Sequence, residues 1–167
     1  MMRATVLYGP KDVRLEQVPD PKILEPTDAI IRVLVACICG SDLWPYRGYD
    51  PVPEEGRPMG HEAVGVVEAV GKEVRTVKPG DVVLMPFAIS DGSCEFCHEG
   101  LTTACIHVAS SATRRGWAGR RPRRCAFHWR TARSTGCPSP RTTVSCCPHL
   151  LTLTDVMGTG HHAAVTA

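Results

Sequence analysis

The 167-residue sequence predicts a mainly-β fold, an antiparallel barrel or sandwich with short helices. Two observations support this class. Apolar, Val-rich runs of strand length recur through the first half of the chain, and Gly or Pro turn signals separate them. A chain of this length holds one domain with a substantial core and hardly two. We therefore expect a single antiparallel β domain.

The N-terminal segments indicate a hairpin followed by a longer strand. Residues 3–8 (RATVLY) and 12–18 (DVRLEQV) are strand-like runs, and the turn signal Gly9-Pro10-Lys11 separates them. After a Pro-rich loop, residues 28–37 (DAIIRVLVAC) are β-branched and apolar. This strand is expected to end at the polar turn formed by residues 40–42.

Two further strands and a helix follow from the later segments. Residues 61–71 (HEAVGVVEAVG) are Val-rich, and Gly65 within them predicts a bulge or a close backbone approach. The turn at residues 78–81 (KPGD) leads into a strand that begins DVVLM. From residue 150 an apolar pattern returns, and residues 150–167 are expected to enter a helix.

The charge of the chain is unevenly distributed. Nine of its 19 basic residues, all Arg, lie between Val108 and Pro148, where none of the 17 acidic residues occurs. This segment, with Trp117, Phe127 and Trp129 among the arginines, leaves open an RNA-binding or single-stranded DNA-binding function. No apolar window is long enough for a membrane span, and the first residues alternate apolar with polar. We therefore expect a soluble, unexported, cytoplasmic protein.

The chain contains nine cysteines, which favour metal binding over a disulfide scaffold. A pair with the spacing C-x-x-C, Cys94 and Cys97, is typical of zinc sites and also of redox pairs, although the strand-to-helix setting of a thioredoxin-like motif is missing. Metal-held thiolates are therefore the favoured interpretation.

Three groups of residues carry candidate metal chemistry. Cys39, Ser41 and Asp42 follow an apolar strand, and His61 and Glu62 begin the next Val-rich strand. Each of these groups alone is weak evidence, because such short motifs also occur in ordinary turns. The third group has the close spacing with which a loop wraps a tetrahedral zinc ion. Its members are Asp91, Cys94, Cys97 and Cys105.

Together these motifs resemble the medium-chain zinc-dependent alcohol dehydrogenases and their N-terminal GroES-like catalytic domain. The matching text is ICGSDLWPYRG, GHEAVGVVEAVG, VKPGDVVLMPF, CEFCHEGLTTAC and LTLTDVMGTGHHAA, within residues 2–107 and 150–167. The resemblance implies a GroES-like antiparallel barrel over residues 1–107. Residues 150–167 would begin the link to a nucleotide-binding domain. The Rossmann domain of the family is expected to be absent, because no strand followed by G-x-G-x-x-G occurs.

The resemblance also implies roles for individual residues. Cys39, His61 and Asp155 correspond to the ligands of the catalytic zinc, in a branch that uses Asp as the third ligand. Glu62 corresponds to the family's acidic neighbour of the metal. Asp42 corresponds to the carboxylate that orients the zinc-bound imidazole.

Three more positions are implied on the substrate and cofactor side. Ser41 corresponds to the hydroxyl that passes the substrate proton outward, and Thr159 to a residue near the nicotinamide ring. Trp44 stands where some members continue the proton route with His. The third group, with Asp91 in place of the usual first Cys, corresponds to the structural-zinc lobe.

The implied activity is hydride transfer from an alcohol to NAD or NADP, giving an aldehyde or ketone, with zinc in both sites. A chain without its nucleotide-binding domain is expected to be inactive alone. Family members are usually homo-oligomers, and we expect a small alcohol or aldehyde as substrate, with no membrane and no nucleic acid as partner. Two alternatives stay open at this point: the Arg-rich nucleic-acid-binding protein and a zinc-binding module without catalysis.

Residues 108–149 interrupt the resemblance, which ends at His107 and returns at Leu150. Their composition, rich in Arg, Pro, Ser, Thr, Cys and Trp and free of acids, is what a shifted reading frame of a GC-rich gene produces. We therefore expect an aberrant, disordered segment that is no evolved binding surface. Resequencing of the gene tests this hypothesis, and an in-frame reading would contradict a sequencing error.

Overall fold

A computed structural model of the chain describes residues 1–24, 26–87, 90, 92–106, 124–128, 133–134 and 148–166. In these parts of the chain it shows antiparallel strands with a few short helices, which confirms the predicted class.

The strands form two antiparallel sheets. The first has the order β2-β1-β4, and the second has the order β7-β3-β5-β6-β8. The predicted N-terminal hairpin is confirmed, because β1 pairs with β2 across the turn formed by Pro10 and Lys11. The strands are β1 (Met2–Gly9), β2 (Asp12–Val18), β3 (Asp28–Ala36), β4 (Arg57–Pro58), β5 (Ala63–Val70), β6 (Val82–Met85), β7 (Arg124–His128) and β8 (Arg133–Ser134).

Helical segments are short except for the last one. Two helices of one turn each cover Leu43–Tyr46 and Glu95–His98. Turns of 3-10 helix cover Gly40–Asp42, Thr102–Ala104 and Thr152–Thr154. The C-terminal helix Val156–Thr166 confirms the predicted entry into a helix, and none of its residues is buried. Among the described residues, no helix combines the length and the apolar character that crossing a membrane requires.

One cluster of buried apolar side chains lies on one face of the second sheet, and further buried apolar side chains lie in β1 and at other positions of β3 and β5. This cluster consists of Ala, Val, Ile and Met side chains of β3, β5 and β6, joined by two valines from the loop between β5 and β6. Burial of these side chains is the main favourable contribution to the stability of the domain. The residues of this cluster are Ile31, Ala63, Val67, Val74, Val77, Val83 and Met85.

Gly65 in β5 is a point of close backbone approach, as its position in a Val-rich strand predicts. A Cβ atom at this residue would contact Ile31 Cγ2 and would lie 2.8 Å from the carbonyl oxygen of Arg32. The ladder between β3 and β5 shifts register next to it, between Val33 and Val35. Because Gly65 has no side chain, the backbones of β3 and β5 can approach closely beside this register shift.

The Arg-rich segment contributes two strands to the second sheet. Strand β7 pairs with β3, and β8 pairs with β6. These two short strands are the part of the segment 108–147 that the structure describes. Backbone hydrogen bonds require no particular side chain, so the edges of β3 and β6 accept partners whose composition is atypical. The remaining residues of 108–147 lie outside the described residues, and for them the disorder and the shifted frame stay predictions.

We expect Gly65→Ala to destabilise the domain by about 1–3 kcal/mol, because the added methyl group meets backbone atoms of β3 that the sheet holds in place. Gly9→Ala is the matched control, since a Cβ atom at Gly9 has no atom within 4 Å. Its effect should stay within about 0.5 kcal/mol. Urea unfolding of both variants measures the difference, and equal midpoints would contradict the close approach.

Candidate metal centre

Four candidate metal ligands from separate parts of the chain converge on one place. The thiol of Cys39, the imidazole of His61 and the carboxylates of Glu62 and Asp155 each offer a ligand atom, and all four atoms lie within 4.8 Å of one another. Cys39 follows β3, whereas His61 and Glu62 immediately precede β5. Asp155 follows the 3-10 turn Thr152–Thr154. The structure thus brings together the three residues that the resemblance assigns to the catalytic zinc, with Glu62 beside them.

His61 is at the centre of this cluster. Its Nε2 atom lies 3.6 Å from Asp155 Oδ2 and 3.8 Å from Glu62 Oε1. Ligands of one tetrahedral zinc ion with bonds of about 2.0–2.3 Å lie roughly 3.3–3.8 Å apart. These distances fit a single zinc ion between the side chains. A thiolate, an imidazole and carboxylates are also the donor types that zinc binds in proteins.

The other ring nitrogen of His61 faces Asp42. Asp42 Oδ1 lies 3.3 Å from His61 Nδ1, and Asp42 Oδ2 accepts a hydrogen bond of 3.0 Å from the backbone N–H of Cys39. Asp42 is only 7% exposed, so its carboxylate is fixed by these partners. It therefore joins the Cys39 loop to the imidazole and leaves Nε2 directed at the cluster, as expected for a carboxylate that orients a ligating histidine.

The same contact controls the protonation of His61. The hydrogen bond to Asp42 is the largest cause that raises the pKa of His61, from 6.5 to about 9, and the Cys39 thiol adds to it, whereas burial acts in the opposite direction. A metal ion at Nε2 requires that this nitrogen carry no proton, so metal and proton compete for the same atom.

Ser41 lies at the rim of the cluster, and Trp44 follows it in the helix Leu43–Tyr46. Ser41 Oγ is 3.4 Å from His61 Nε2, and its side chain is exposed. The Trp44 side chain is 59% exposed and packs edge-to-face on Tyr49, with ring centroids 5.9 Å apart. The predicted hydroxyl is thus next to the candidate metal position. Thr159, the predicted residue near the cofactor, is exposed on the C-terminal helix.

Thr154 is a residue of this centre that the sequence analysis missed. It is 1% exposed, and its hydroxyl donates a hydrogen bond of 2.9 Å to Glu62 Oε2. Glu62 itself is 3% exposed. A threonine before a candidate ligand has no distinctive spacing, so the sequence offers no signal that would single it out.

A second cluster consists of three thiols. The sulfur atoms of Cys94, Cys97 and Cys105 lie within 4.8 Å of one another, at the short helix Glu95–His98 and the turn after it. Burial tends to raise the pKa of Cys94, but the backbone N–H groups of Cys97 and Ile106 stabilise its thiolate, so its pKa lies below the ordinary value. Asp91, the fourth predicted ligand of this lobe, lies outside the described residues.

The Asp42–His61 contact predicts a pH dependence of stability in chelator-treated protein. A group whose pKa is higher in the folded state stabilises the fold below its unfolded pKa and loses this effect as the pH rises through the folded pKa. The contribution of His61 should therefore be full below about 6.5 and disappear as the pH rises through about 9.

Asp42→Asn should reduce this dependence, because it removes the charge that holds the proton on His61. Urea unfolding at about pH 6 and about pH 9.5 measures it. Asp50→Asn, at an exposed carboxylate, is the control and should behave as the unmodified chain does. The assigned contact would be contradicted if Asp42→Asn lost as much stability between these two pH values as the unmodified chain does.

Comparison with known proteins gives the family of the chain. The family model of the alcohol dehydrogenase GroES-like domain matches residues 25–121. A medium-chain reductase/dehydrogenase, ucsI, from an Acremonium species is 42% identical over 106 residues, which are 64% of this chain and 36% of that protein. A glutathione-independent formaldehyde dehydrogenase from Pseudomonas aeruginosa is 32% identical over 179 aligned positions, covering 99% of this chain and 45% of the relative.

Solved structures give the same result. Alcohol dehydrogenase TADH from Thermus sp. ATN1 superposes with a TM-score of 0.72 at 31% identity, over 87% of this chain and 44% of that one. The chain spans less than half the length of each of these relatives. Family model, relatives and fold agree with the converging thiol, imidazole and carboxylates. The chain therefore belongs to the family of the alcohol dehydrogenase GroES-like domain, the N-terminal domain of medium-chain zinc-dependent alcohol dehydrogenases.

Proposed function

We propose that this chain provides the zinc-binding catalytic domain of an alcohol dehydrogenase that oxidises a small alcohol to an aldehyde or ketone. The observation that supports this most is the convergence of Cys39, His61 and Asp155 with Glu62, from segments far apart in the sequence. A structural zinc site is usually built from Cys and His alone, whereas a catalytic site mixes donor types and keeps one position for substrate.

In this proposal Cys39, His61 and Asp155 hold a zinc ion, which supplies Lewis-acid activation of the substrate oxygen. Asp42 keeps the imidazole in the orientation that presents Nε2, through its 3.3 Å contact with Nδ1. The same carboxylate restrains the Cys39 loop by accepting its backbone N–H. The two contacts fix the thiol and the imidazole relative to each other before substrate arrives.

The hydroxyl of Ser41 is the group that takes up the substrate proton in this proposal. It lies 3.4 Å from His61 Nε2, beside the position of the metal, and it is exposed. The indole of Trp44, the next side chain on the proposed route, offers an N–H donor and no base. We infer that the proton passes from Ser41 directly to water.

The hydride acceptor is a nicotinamide cofactor, NAD or NADP, held by a nucleotide-binding domain of the kind that the family resemblance implies. Thr159, exposed on the C-terminal helix, is proposed to face the nicotinamide ring. We also propose that the full-length protein assembles into a homo-oligomer and is located in the cytoplasm.

The second cluster is proposed to bind a structural zinc ion. Its three thiols come from one short stretch of chain, so little loop entropy opposes closure around a metal. Asp91 is proposed as the fourth ligand, since a carboxylate oxygen is a competent though harder donor. Such a site stabilises its lobe, and we propose no catalytic role for it.

We expect the purified, reduced chain to contain one zinc ion for each of the two clusters. Cys39→Ser should remove the first ion and Cys97→Ser the second, as measured by elemental analysis. Cys37→Ser is the matched control, because Cys37 is two residues from Cys39 and belongs to neither cluster. The assignment would be contradicted if the reduced chain contained no zinc. It would also be contradicted if Cys37→Ser lost as much zinc as Cys39→Ser or Cys97→Ser.

The activity itself is tested with a chimera. The 167-residue chain alone should give no alcohol-dependent reduction of NAD or NADP, because it contains no G-x-G-x-x-G motif after a strand. Fusion to the part of the Thermus alcohol dehydrogenase that this chain does not cover should restore reduction, and Cys39→Ser in the chimera should abolish it. A folded chimera that binds zinc and NAD but oxidises no alcohol would refute the proposed function.

A further inference from the structure

Thr154 connects three parts of the candidate metal centre. Its backbone carbonyl accepts a hydrogen bond of 3.1 Å from the N–H of Phe87, just beyond β6. Its hydroxyl donates to Glu62 Oε2 at 2.9 Å, just before β5. The next residue is Asp155, so Thr154 lies between two of the four candidate ligands and contacts the segments that carry both.

The hydroxyl of Thr154 has two acceptors. Besides Glu62 Oε2, the carbonyl oxygen of Leu151 lies 2.6 Å from the hydroxyl oxygen. A hydroxyl carries one hydrogen, so it donates fully to only one of these acceptors at a time. Glu62 can therefore keep or lose its bond to Thr154 without leaving the buried hydroxyl unpaired, which would be costly.

The geometry of Glu62 shows what this bond does. Glu62 Oε2 is held by Thr154, and Oε1 is the oxygen that lies 3.8 Å from His61 Nε2. Because the bond fixes one carboxylate oxygen, the other is directed at the cluster. Carboxylates that ligate metals are usually held in this way by a partner outside the ligand set.

We propose that Thr154 is a positioning residue that fixes Glu62 as the fourth donor to the metal at Cys39, His61 and Asp155. The inference rests on the proposed function for the metal itself. The bond from Thr154 keeps Glu62 Oε1 at the metal, and Leu151 receives the hydroxyl when the carboxylate withdraws to admit an external ligand. Thr154 thereby sets how readily the fourth position opens.

Cobalt(II) and azide are the probes for this proposal. Cobalt(II) replaces zinc and reports thiolate ligation and coordination number through its absorption spectrum, and azide reports how readily an external ligand enters. Each spectrum is measured on the full chain and corrected with the Cys39→Ser chain, so that the signal of the three-thiol cluster is subtracted. Thermal unfolding of every variant checks the fold.

Thr154→Val keeps the shape of the side chain and removes the hydroxyl. We expect it to bind cobalt(II) about tenfold or more weakly and to take up azide at correspondingly lower concentration, because Glu62 is no longer held at the metal. Thr154→Ser keeps the hydroxyl and should stay within about threefold of the unmodified chain for both probes. A purely structural role would change the melting temperature and leave the azide response unchanged.

Glu62→Gln separates positioning from other effects of Thr154. It should reproduce both changes, since an amide is a poorer ligand, and Thr154→Val should add nothing to it in the double variant. Losses that multiply in the double variant would overturn the proposal. A Glu62→Gln chain with unchanged cobalt(II) and azide affinities would also overturn the proposal. This test does not require that Thr154→Val folds.

The same measurements separate this proposal from the proposed function. A Cys39-dependent cobalt(II) spectrum that is unaffected by Thr154→Val would overturn the role of Thr154 and leave the metal site intact. An unmodified chain without any Cys39-dependent thiolate-to-cobalt band would refute the metal site, and the role of Thr154 with it.

Discussion

The pairing of β3 with β5 is the interaction on which the candidate metal centre depends. In this antiparallel ladder Ala36 is opposite Ala63, so the end of β3 and the start of β5 lie side by side. Cys39 leaves the sheet just after Ala36, and His61 and Glu62 enter it just before Ala63. A ladder of backbone hydrogen bonds thus places a thiol beside an imidazole and a carboxylate, with the close approach at Gly65 in the same ladder.

The neighbouring strand helps to bring Asp155 to the same end of the sheet. Because β6 is antiparallel to β5, Met85 is opposite Ala63, and the chain leaves β6 where His61 and Glu62 enter β5. The N–H of Phe87 then holds the carbonyl of Thr154, and Asp155 follows. The sheet thus brings the Cys39 segment and the His61–Glu62 segment together, and the hydrogen bonds of Thr154 attach the Asp155 segment at the same end.

Much of this architecture could be predicted from local sequence signals. The hairpin at Gly9-Pro10 and the strands β3, β5 and β6 follow from turn residues and Val-rich runs, and the resemblance assigned Cys39, His61 and Asp155. The bond between Thr154 and Glu62 could not be predicted, because its partners are 92 positions apart and neither has a distinctive spacing. Strands β7 and β8 were missed for a related reason, since their pairing depends on free sheet edges and not on their own composition.

The charge of the centre explains why it suits a divalent cation. Carboxylate oxygens of Asp42, Glu62 and Asp155 lie 3.3, 3.8 and 3.6 Å from the ring nitrogens of one imidazole, and all three side chains are largely shielded from water. Buried carboxylates need nearby positive charge, because desolvation is otherwise strongly unfavourable. A proton on His61 meets this need at Asp42, whose hydrogen bond raises the pKa of His61 to about 9, with a further contribution from the Cys39 thiol. A divalent cation held by Cys39, His61, Glu62 and Asp155 would meet this need more completely, and the 3.3 Å contact of His61 Nδ1 with Asp42 would be kept.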